Sequence, residues 1–397
     1  MSRSIQAAIV GGGIGGLAAA AALVHRGIRV AVYEQSSVLR EVGAGLFIYP
    51  NSLRQLERIG LGAALARVGA RVGDGSEYYR MDGSVVGKIL TTDSSGWAGM
   101  YGMHRADLLQ VLADAIPADS VHTGHRCVGF SQDEAGAHLT FDNGHVAHAD
   151  VVIGADGINS VLQKYVVEPS PPEYAGFRAY RGLLAADRIP GWRREAHQVW
   201  MGDGKHFMVF PVRRGEMVNY VGFVPTASET AESWSAVGDR DELAASFAGW
   251  DPRVTALLAK VETCFWWGLF DRKPLRTWVN GRLALLGDAA HPMLPHLGQG
   301  ANQAIEDGTA LAVLLQGCPD GASIEDALKR YEALRQPRTA MVQAEARKNG
   351  LRYDSKYADL EQRDREIANS AMLRRSLYDY DIEKEAAKLL RVSPASA

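Results

Sequence analysis

Two patterns of hydrophobic and polar residues alternate along the chain. The first pattern combines short apolar runs with stretches of helical periodicity. The apolar runs predict buried strands at Ala8–Val10, Arg29–Tyr33, Ala149–Gly154 and Arg282–Leu286. Helices are predicted for an Ala-rich stretch after residue 13, from Asn51 as N-cap to about Leu65, from Arg105 to about Ile116, and from about Asn302 to Leu315. Strands and helices in this order indicate an α/β fold with a parallel sheet.

The second pattern is an alternation of apolar and polar positions, which is typical of an antiparallel sheet with one covered face. Between about residue 170 and residue 273 it predicts strands at His197–Met201, His206–Val212 and Val218–Val224. Shorter strand-like runs are found in 71–101, at His125–Gln132, and at Ala137–Phe141 before an Asp-Asn-Gly turn. Residues 40–50 are interpreted as a loop, and 322–390 as charged helices packed on the body.

These elements predict a Rossmann-like nucleotide-binding domain that is interrupted by an antiparallel β-sheet substrate domain and followed by C-terminal helices. The nucleotide-binding domain is assigned to 1–72, 102–172 and 280–330. The sheet domain is assigned to 73–101 and 173–279, and the helical segment to 331–397.

Composition narrows the possible partners. The net charge of −3 over 397 residues gives no basic excess for a nucleic acid, and no second apolar run approaches the length of a membrane span. Cys127, Cys264 and Cys318 are few and widely spaced, which favours a reducing, cytoplasmic setting and matches no metal-binding pattern. Oligomeric state is not readable from the sequence.

A glycine fingerprint follows the first predicted strand. Gly11, Gly13 and Gly16 precede the Ala-rich helix, and Glu34 ends the next strand about 20 residues later, the arrangement of a dinucleotide-binding turn. The helix N-terminus offers unpaired N–H groups to a pyrophosphate, and Glu34 can accept hydrogen bonds from a ribose. A membrane helix or signal peptide is the alternative for residues 5–24, but five glycines and the Val-Tyr-Glu strand that follows argue against both.

Two further signatures follow buried strands. Asp156-Gly157 is by itself no more than a turn. The segment from Gly287 to Asn302 is more specific, because a buried strand delivers Asp288 to its C-terminal end and glycines then open the next helix. Two helix N-termini at two polar centres indicate a long cofactor, for which FAD is a better candidate than NAD.

Together, these motifs resemble those of the single-component FAD-dependent aromatic hydroxylases, the family of para-hydroxybenzoate hydroxylase. Within that family the pattern is most similar to the salicylate hydroxylase-like branch, which includes 3-hydroxybenzoate 6-hydroxylase and 6-hydroxynicotinate monooxygenase. The resemblance covers roughly residues 5–330. It implies an FAD-binding domain whose cofactor contacts come from Gly11, Gly13, Gly15, Gly16, Glu34, Gln35, Arg105, Asp156, Gly157, Asp288, Gly298, Gly300, Ala301 and Asn302.

The resemblance also implies the chemistry. NADH or NADPH binds transiently and reduces FAD, and oxygen is transferred to an electron-rich ring through a C4a-hydroperoxyflavin. The chain departs from the family where an Arg usually follows the Asp-Gly motif, because it carries Gln163 and then Lys164. The choice between NADH and NADPH therefore stays open.

The resemblance and strand alternation also give candidate substrate residues. Phe47 lies in the loop expected to pass the flavin, and His206, Met208 and Phe210 alternate onto one face of a strand. Phe210 has no hydroxyl group, so His206 or the Pro295 carbonyl is the candidate for handling a substrate phenol, while a structural role for His206 stays open. Arg181 is a candidate partner for a substrate carboxylate or a structural ion pair, and His291 is expected to brace the flavin loop.

The predicted function is FAD-dependent hydroxylation of a phenolic ring of the hydroxybenzoate or salicylate type. An N-heteroaromatic substrate, such as a hydroxypyridine, quinolone or urate-like ring, is the main alternative. A flavin-dependent halogenase is disfavoured, because Trp266-Trp267 is not the Trp-x-Trp-x-Ile-Pro pattern. A non-catalytic flavin-fold binding protein is disfavoured by the intact Gly287-Asp288 loop.

Overall fold

A computed structural model describes residues 5–39, 44–226, 236–354 and 359–391. Within them the strands are β1 Gln6–Val10, β2 Arg29–Tyr33, β3 Gly45–Ile48, β4 Ala70–Arg71, β5 Glu77–Arg80, β6 Val85–Lys88, β7 Tyr101–His104, β8 Val121–His122, β9 Cys127–Gln132, β10 Ala137–Phe141, β11 Val146–Ala149, β12 Val151–Gly154, β13 Glu173–Ala185, β14 Gln198–Gly202, β15 Lys205–Val212, β16 Met217–Pro225, β17 Ala236–Gly238, β18 Cys264–Asp271, β19 Val279–Asn280 and β20 Leu283–Leu285. The helices are α1 Ile14–His25, α2 Pro50–Arg58, α3 Gly62–Val68, α4 Arg105–Ala113, α5 Arg240–Ser246, α6 Pro252–Leu258, α7 Gly300–Leu315, α8 Gly321–Asp354, α9 Leu360–Tyr378 and α10 Ile382–Arg391.

The nucleotide-binding side is built on a six-stranded sheet with the order β19-β20-β12-β1-β2-β8. Strand β1 pairs in parallel with β2 and β12, and β12 pairs in parallel with β20. Parallel neighbours end at the same edge of a sheet, so the glycine turn, the Asp-Gly motif and Asp288 follow three adjacent strands. The mixed α/β fold predicted from the sequence is confirmed.

A second, eight-stranded sheet has the order β17-β18-β13-β16-β15-β14-β5-β6. Its central strands are antiparallel, as the alternating pattern predicted. All eight strands come from 73–101 and 173–279, the two ranges assigned to a substrate domain. The domain division itself stays a prediction.

Four local predictions differ from the structure. The helix expected from Asn51 to Leu65 is two helices, α2 and α3, separated by a turn at Gly60 with φ +87°. Asn51 is not a cap but a buried member of α2, because its amide donates to Glu306 at 2.6 Å. The loop at 40–50 contains β3, and the predicted sheet region contains α5 and α6, whose N-caps are Asp239 and Asp251.

The C-terminal helices are tied to the first domain by buried ion pairs. Arg335 of α8 bonds Glu306 at 2.6 Å and Asp307 at 2.8 Å on α7, and all three side chains are fully buried. Arg338 adds a second bond to Glu306 at 2.7 Å. This cluster fixes α7, whose N-terminus opens onto the predicted flavin loop. None of the helices in the described ranges is both long and apolar enough to cross a membrane.

Candidate active site

The glycine turn between β1 and α1 has the geometry of a phosphate cradle. Gly11 has φ +111°, and a side chain there would meet the Ala155 carbonyl oxygen at 2.2 Å. A Cβ on Gly16 would lie 2.0 Å from the Gly11 carbonyl oxygen, whereas one on Gly13 would meet nothing within 4 Å. Gly11 and Gly16 are therefore needed for packing, and Gly13 leaves open space in front of the helix N-terminus.

Glu34 lies beside this turn, at the end of β2. Its Oε2 accepts a hydrogen bond from the Gly12 N–H at 2.8 Å, and its Oε1 accepts one from the Ser36 N–H. Gln35 is exposed next to it. Both residues are thus available at the edge predicted to hold the adenosine end, where a cofactor contact stays a prediction.

The predicted flavin loop joins β20 to α7. Asp288 is exposed at the end of the strand and lines a cavity, together with Gly298, Gly300 and Ala301. Gly298 has φ +65°, and a Cβ there would lie 2.8 Å from the Tyr49 hydroxyl oxygen. Close packing of this loop on Tyr49 therefore requires glycine.

The side chain of Asn302 is not in a position to contact a cofactor. It is fully buried, and its amide donates to the carbonyls of Phe47 and Gly298, each at 2.9 Å. Its Oδ1 accepts from the Tyr49 N–H at 2.9 Å and from the Ser52 hydroxyl. Asn302 holds the two walls of the cavity together, so a contact with FAD would be made by its main chain.

The two residues of the Asp-Gly motif have different surroundings. Gly157 lines the cavity, while the Asp156 carboxylate accepts from the N–H groups of Val161 and Leu162 at 2.8 and 3.2 Å. Burial raises the pKa of Asp156, and its Oδ1 has no partner among the described residues. Gln163, the departure from the family pattern, donates to the Ala289 carbonyl at 3.0 Å and joins this turn to the Asp288 loop.

One cavity of about 440 Å³ extends from the glycine turn to the sheet. Gly13, Gly15 and Arg105 line its first part, and Arg105 begins α4. Residues of the flavin loop line its middle, and side chains of the eight-stranded sheet line its far end. The continuous lining brings together residues as far apart in the sequence as Gly13 and Arg374.

Aromatic rings form the far wall. Phe47 of β3 lies 4.1 Å from Phe210 and 4.6 Å from His197, measured between ring centroids, and Met208 lines the cavity beside them. Phe47, Met208 and Phe210 therefore line the cavity, and their contact with a substrate stays a prediction. His197 was missed, although its alternating strand pattern placed it on a sheet face.

Arg181 also lines this end of the cavity. It is buried, and its guanidinium stacks over the Trp267 ring at 4.7 Å from the centroid. The two residues lie on neighbouring strands, β13 and β18. The cation–π contact gives Arg181 a structural partner, and a role toward a substrate stays a prediction.

His206 lies behind the cavity wall instead of on it. The side chain is fully buried and does not line the cavity. Its Nδ1 is 2.5 Å from Asp354 Oδ1, its ring stacks on Phe223 at 4.1 Å, and its Nε2 has no partner among the described residues. Direct contact with a substrate, predicted from strand alternation, is not supported by this position, because Phe223 and neighbouring rings intervene.

Pro295 and the adjacent His296 do line the cavity. The Pro295 carbonyl accepts the Gly298 N–H at 2.9 Å and retains a second lone pair. Burial, followed by the charge of nearby His206, holds the pKa of His296 well below its usual range, so its imidazole is neutral near pH 7. Its Nδ1 has no partner within the described ranges.

His206, His296 and Asp354 place their ligand atoms within 4.8 Å of one another, a spacing compatible with a cation. Asp354 Oδ1 is already bonded to His206, and burial raises the pKa of this carboxyl. We therefore interpret the group as a hydrogen-bonded pair beside a neutral imidazole. His291, by contrast, is bonded to Asp307 at 2.6 Å and braces the flavin loop from inside.

The helical segment after residue 331 contributes cavity residues that were not predicted from the sequence. Tyr353 of α8 and Arg374 of α9 both line the cavity. Helical periodicity around these two residues does not indicate this role, because the contacts join elements that lie far apart in the chain. Charged and aromatic residues in a terminal helix are ordinarily interpreted as packing or surface positions.

The residues present fit FAD. The N-termini of α1 and α7 carry no side-chain cap, so their N–H groups are open to an anionic or electron-rich ligand. Open space at Gly13 and the exposed Asp288 lie along one elongated cavity. A family model described as an FAD-binding domain matches residues 4–346. The chain belongs to this FAD-binding family.

Curated relatives define the reaction class. A 3-amino-4-hydroxybenzoate 2-monooxygenase from Streptomyces platensis is 39% identical over 86% of this chain and 87% of its own length. A 6-hydroxynicotinate 3-monooxygenase from Pseudomonas fluorescens is 35% identical over 86% of this chain and 90% of its own length. A solved salicylate hydroxylase complex superimposes with a TM-score of 0.85 at 29% identity, covering 99% of both chains. The chain is thus an FAD-dependent aromatic hydroxylase, as its motifs predicted.

Proposed function

We propose that the hydroxylase adds one oxygen atom of O2 to a phenolic aromatic acid of the hydroxybenzoate or salicylate type, using NADH or NADPH as reductant. The observation that supports this most directly is the aromatic-walled end of the cavity, where Phe47, Phe210 and Trp267 surround a space next to the flavin loop. A cavity end walled by aromatic rings suits a single substituted ring. The relatives named above act on such rings.

The cofactor is held by the glycine turn, Glu34, Gln35, Arg105, Gly157, Asp288 and the loop from Gly298 to Ala301. Bound FAD supplies the redox and oxygen chemistry. The chain supplies position and exclusion of water: Phe47, Met208 and Phe210 give the cavity an apolar wall, which favours productive oxygen transfer over loss to solvent.

The substrate phenol needs an acceptor that makes the ring electron-rich. The neutral imidazole of His296 and the free lone pair of the Pro295 carbonyl are the cavity-lining groups suited to this. His206 and Asp354 act behind His296, whose ring centroid is 5.5 Å from that of His206. We assign them as positioning residues, while Pro295 and His296 are candidates for contact.

An N-heteroaromatic acid is the second candidate. The 6-hydroxynicotinate relative supports it, and the cavity offers imidazoles at His197 and His296 that can meet a ring nitrogen.

In either case the net charge of −3 and the three free cysteines support a cytoplasmic enzyme with small-molecule partners, not nucleic acid or membrane.

The test is oxidation of NADH and of NADPH by FAD-loaded enzyme over a panel of hydroxybenzoates, aminohydroxybenzoates and hydroxypyridine carboxylates. We expect at least one acid to stimulate oxidation and to yield a product that gains one oxygen-18 atom from labelled O2. Parent phenols without a carboxyl group serve as matched controls. Stimulation without oxygen incorporation by any compound would contradict the hydroxylase proposal, as would a complete lack of stimulation.

A further inference from the structure

A buried arginine from the C-terminal helices faces the cavity. Arg374 lies on α9, is only 4% exposed and lines the cavity. Its Nη2 donates to the Tyr353 hydroxyl at 3.1 Å, but its Nε is buried with no partner among the described residues. A donor left unsatisfied in a cavity wall is a position for a ligand acceptor.

The surroundings of Arg374 do not neutralise its charge. Its nearest electrostatic neighbours are the phenols of Tyr49, Tyr78, Tyr353 and Tyr378, and it forms no ion pair with a carboxylate in the described part of the chain. Two more deeply buried arginines differ, because Arg335 is paired with Glu306 and Asp307, and Arg363 with Asp364. A buried guanidinium without an anion is costly, and an anionic ligand would remove that cost.

A second unsatisfied group lies at the same end of the cavity. His197 is 2% exposed and lines the cavity beside Phe47, and both of its ring nitrogens are buried without a described partner. Burial and the charge of Arg374 lower the pKa of His197 to about 3, so its ring is neutral and carries one N–H donor. An imidazole donor and a guanidinium that line the same cavity can bind the two oxygens of one carboxylate.

We propose that Arg374, assisted by His197, binds the carboxylate of the aromatic substrate and that α9 thereby sets the enzyme's preference for acids. The inference rests on the proposed function and adds the residue that selects the substrate class. Arg181, the arginine that strand patterning brought forward for this role, is instead stacked on Trp267. The carboxylate end of the ring would therefore point toward the C-terminal helices.

The first experiment uses wild-type holoenzyme and ligand pairs that differ only in charge. Salicylate is compared with salicylamide, and 3-amino-4-hydroxybenzoate with its carboxamide, by titrating the visible absorbance of bound FAD. A charge-assisted hydrogen bond predicts a dissociation constant about 10- to 100-fold lower for the acid than for the amide. Equal affinity for acid and amide in both pairs would overturn the inference. This result needs only the wild-type enzyme and so does not depend on the folding of any variant.

The second experiment compares Arg374→Gln, Arg374→Lys and the control Arg363→Gln. Arg363 is buried on the same helix but bonds Asp364 and the Met201 carbonyl instead of lining the cavity. We expect Arg374→Gln to weaken acid binding about 10- to 100-fold and amide binding less than about threefold, with partial recovery in Arg374→Lys. Arg363→Gln is expected to change neither the affinity for the acids nor the affinity for the amides.

The outcomes separate the two proposals. Oxygen incorporation into acids with an unchanged acid-to-amide ratio in Arg374→Gln would overturn the carboxylate assignment and leave the proposed function in place. A lack of turnover with every acid, amide and phenol would contradict the proposed function itself. Equal weakening of acid and amide would show that Arg374 supports the cavity wall without pairing with the carboxylate.

Discussion

Nδ1 of His206 lies 2.5 Å from Oδ1 of Asp354, and this buried pair joins the eight-stranded sheet to the end of α8. Neither side chain lines the cavity, but His296 and Tyr353, which do, are ring neighbours of His206 at 5.5 and 5.0 Å. Burial raises the pKa of Asp354, and His206 opposes that effect. The charge on the pair thus influences the cavity wall from behind.

Replacement of His206 by Ala, or of Asp354 by Asn, is expected to lower substrate-stimulated kcat about tenfold while FAD stays bound. That factor corresponds to loss of one charge-assisted hydrogen bond, ~1.5 kcal/mol, behind the contact residues. The measurement is kcat, KM and their pH profiles, with the exposed His25→Ala as control. Unchanged kcat across the profile would return His206 to a purely packing role.

Asp288→Ala is expected to raise the dissociation constant for FAD about 10- to 100-fold, since its exposed carboxylate lines the middle of the cofactor cavity. Fluorescence titration of apoenzyme with FAD measures the change. Asp187→Ala removes an exposed carboxylate outside this lining and serves as the matched control. Full retention of FAD by the Asp288 variant would refute the assignment of its side chain to the cofactor.

Local patterns in the sequence predicted the nucleotide-binding half of the site. The glycine turn and Asp288 each depend on a strand that ends at one edge of a parallel sheet, and that relation is encoded within a few residues. Strand alternation likewise placed Met208 and Phe210 on the cavity face. It also placed His206 on that face, but it carried no information about Phe223 or Asp354, which cover the ring.

The remaining part of the site depends on contacts between distant elements. Arg374 reaches the cavity only because α9 packs against α2, α8 and the edge strand β6. No periodicity in a charged helix distinguishes an inward arginine from a solvated one. Asn51 is a similar case, since an Asn before an apolar stretch resembles an N-cap. In the fold it is a buried partner of Glu306 on α7.

Two glycines of the fingerprint are expected to respond differently to alanine. Gly16→Ala should destabilise the protein by about 1–3 kcal/mol, because the new Cβ would lie 2.0 Å from the Gly11 carbonyl oxygen. Gly13→Ala has no such contact and should keep its melting temperature while losing FAD affinity. Thermal unfolding of the apoenzymes and FAD titration check both effects. Normal FAD affinity in Gly13→Ala would place the pyrophosphate elsewhere.

Acid sensitivity is expected from the buried histidines of the cavity. The pKa of His197 falls from 6.5 to about 3 on folding, and burial also lowers that of His296. Below about pH 6.5 the unfolded chain therefore binds protons that the folded enzyme does not, so the free energy of unfolding falls as the pH decreases. Each histidine contributes a slope of up to about 1.4 kcal/mol per pH unit.

His197→Gln is accordingly expected to remove about 1.4 kcal/mol per pH unit from that slope between about pH 6 and about pH 5. Urea unfolding of FAD-saturated enzyme at several pH values measures it, with the exposed His25→Gln as the matched variant. Asp156 and Asp354, whose pKa values burial raises, act in the opposite direction as carboxyl groups titrate, but they are present in both proteins and cancel in the comparison. An identical slope in wild type and His197→Gln would mean that folding does not lower the pKa of His197. The neutral imidazole inferred for the carboxylate site would then be wrong.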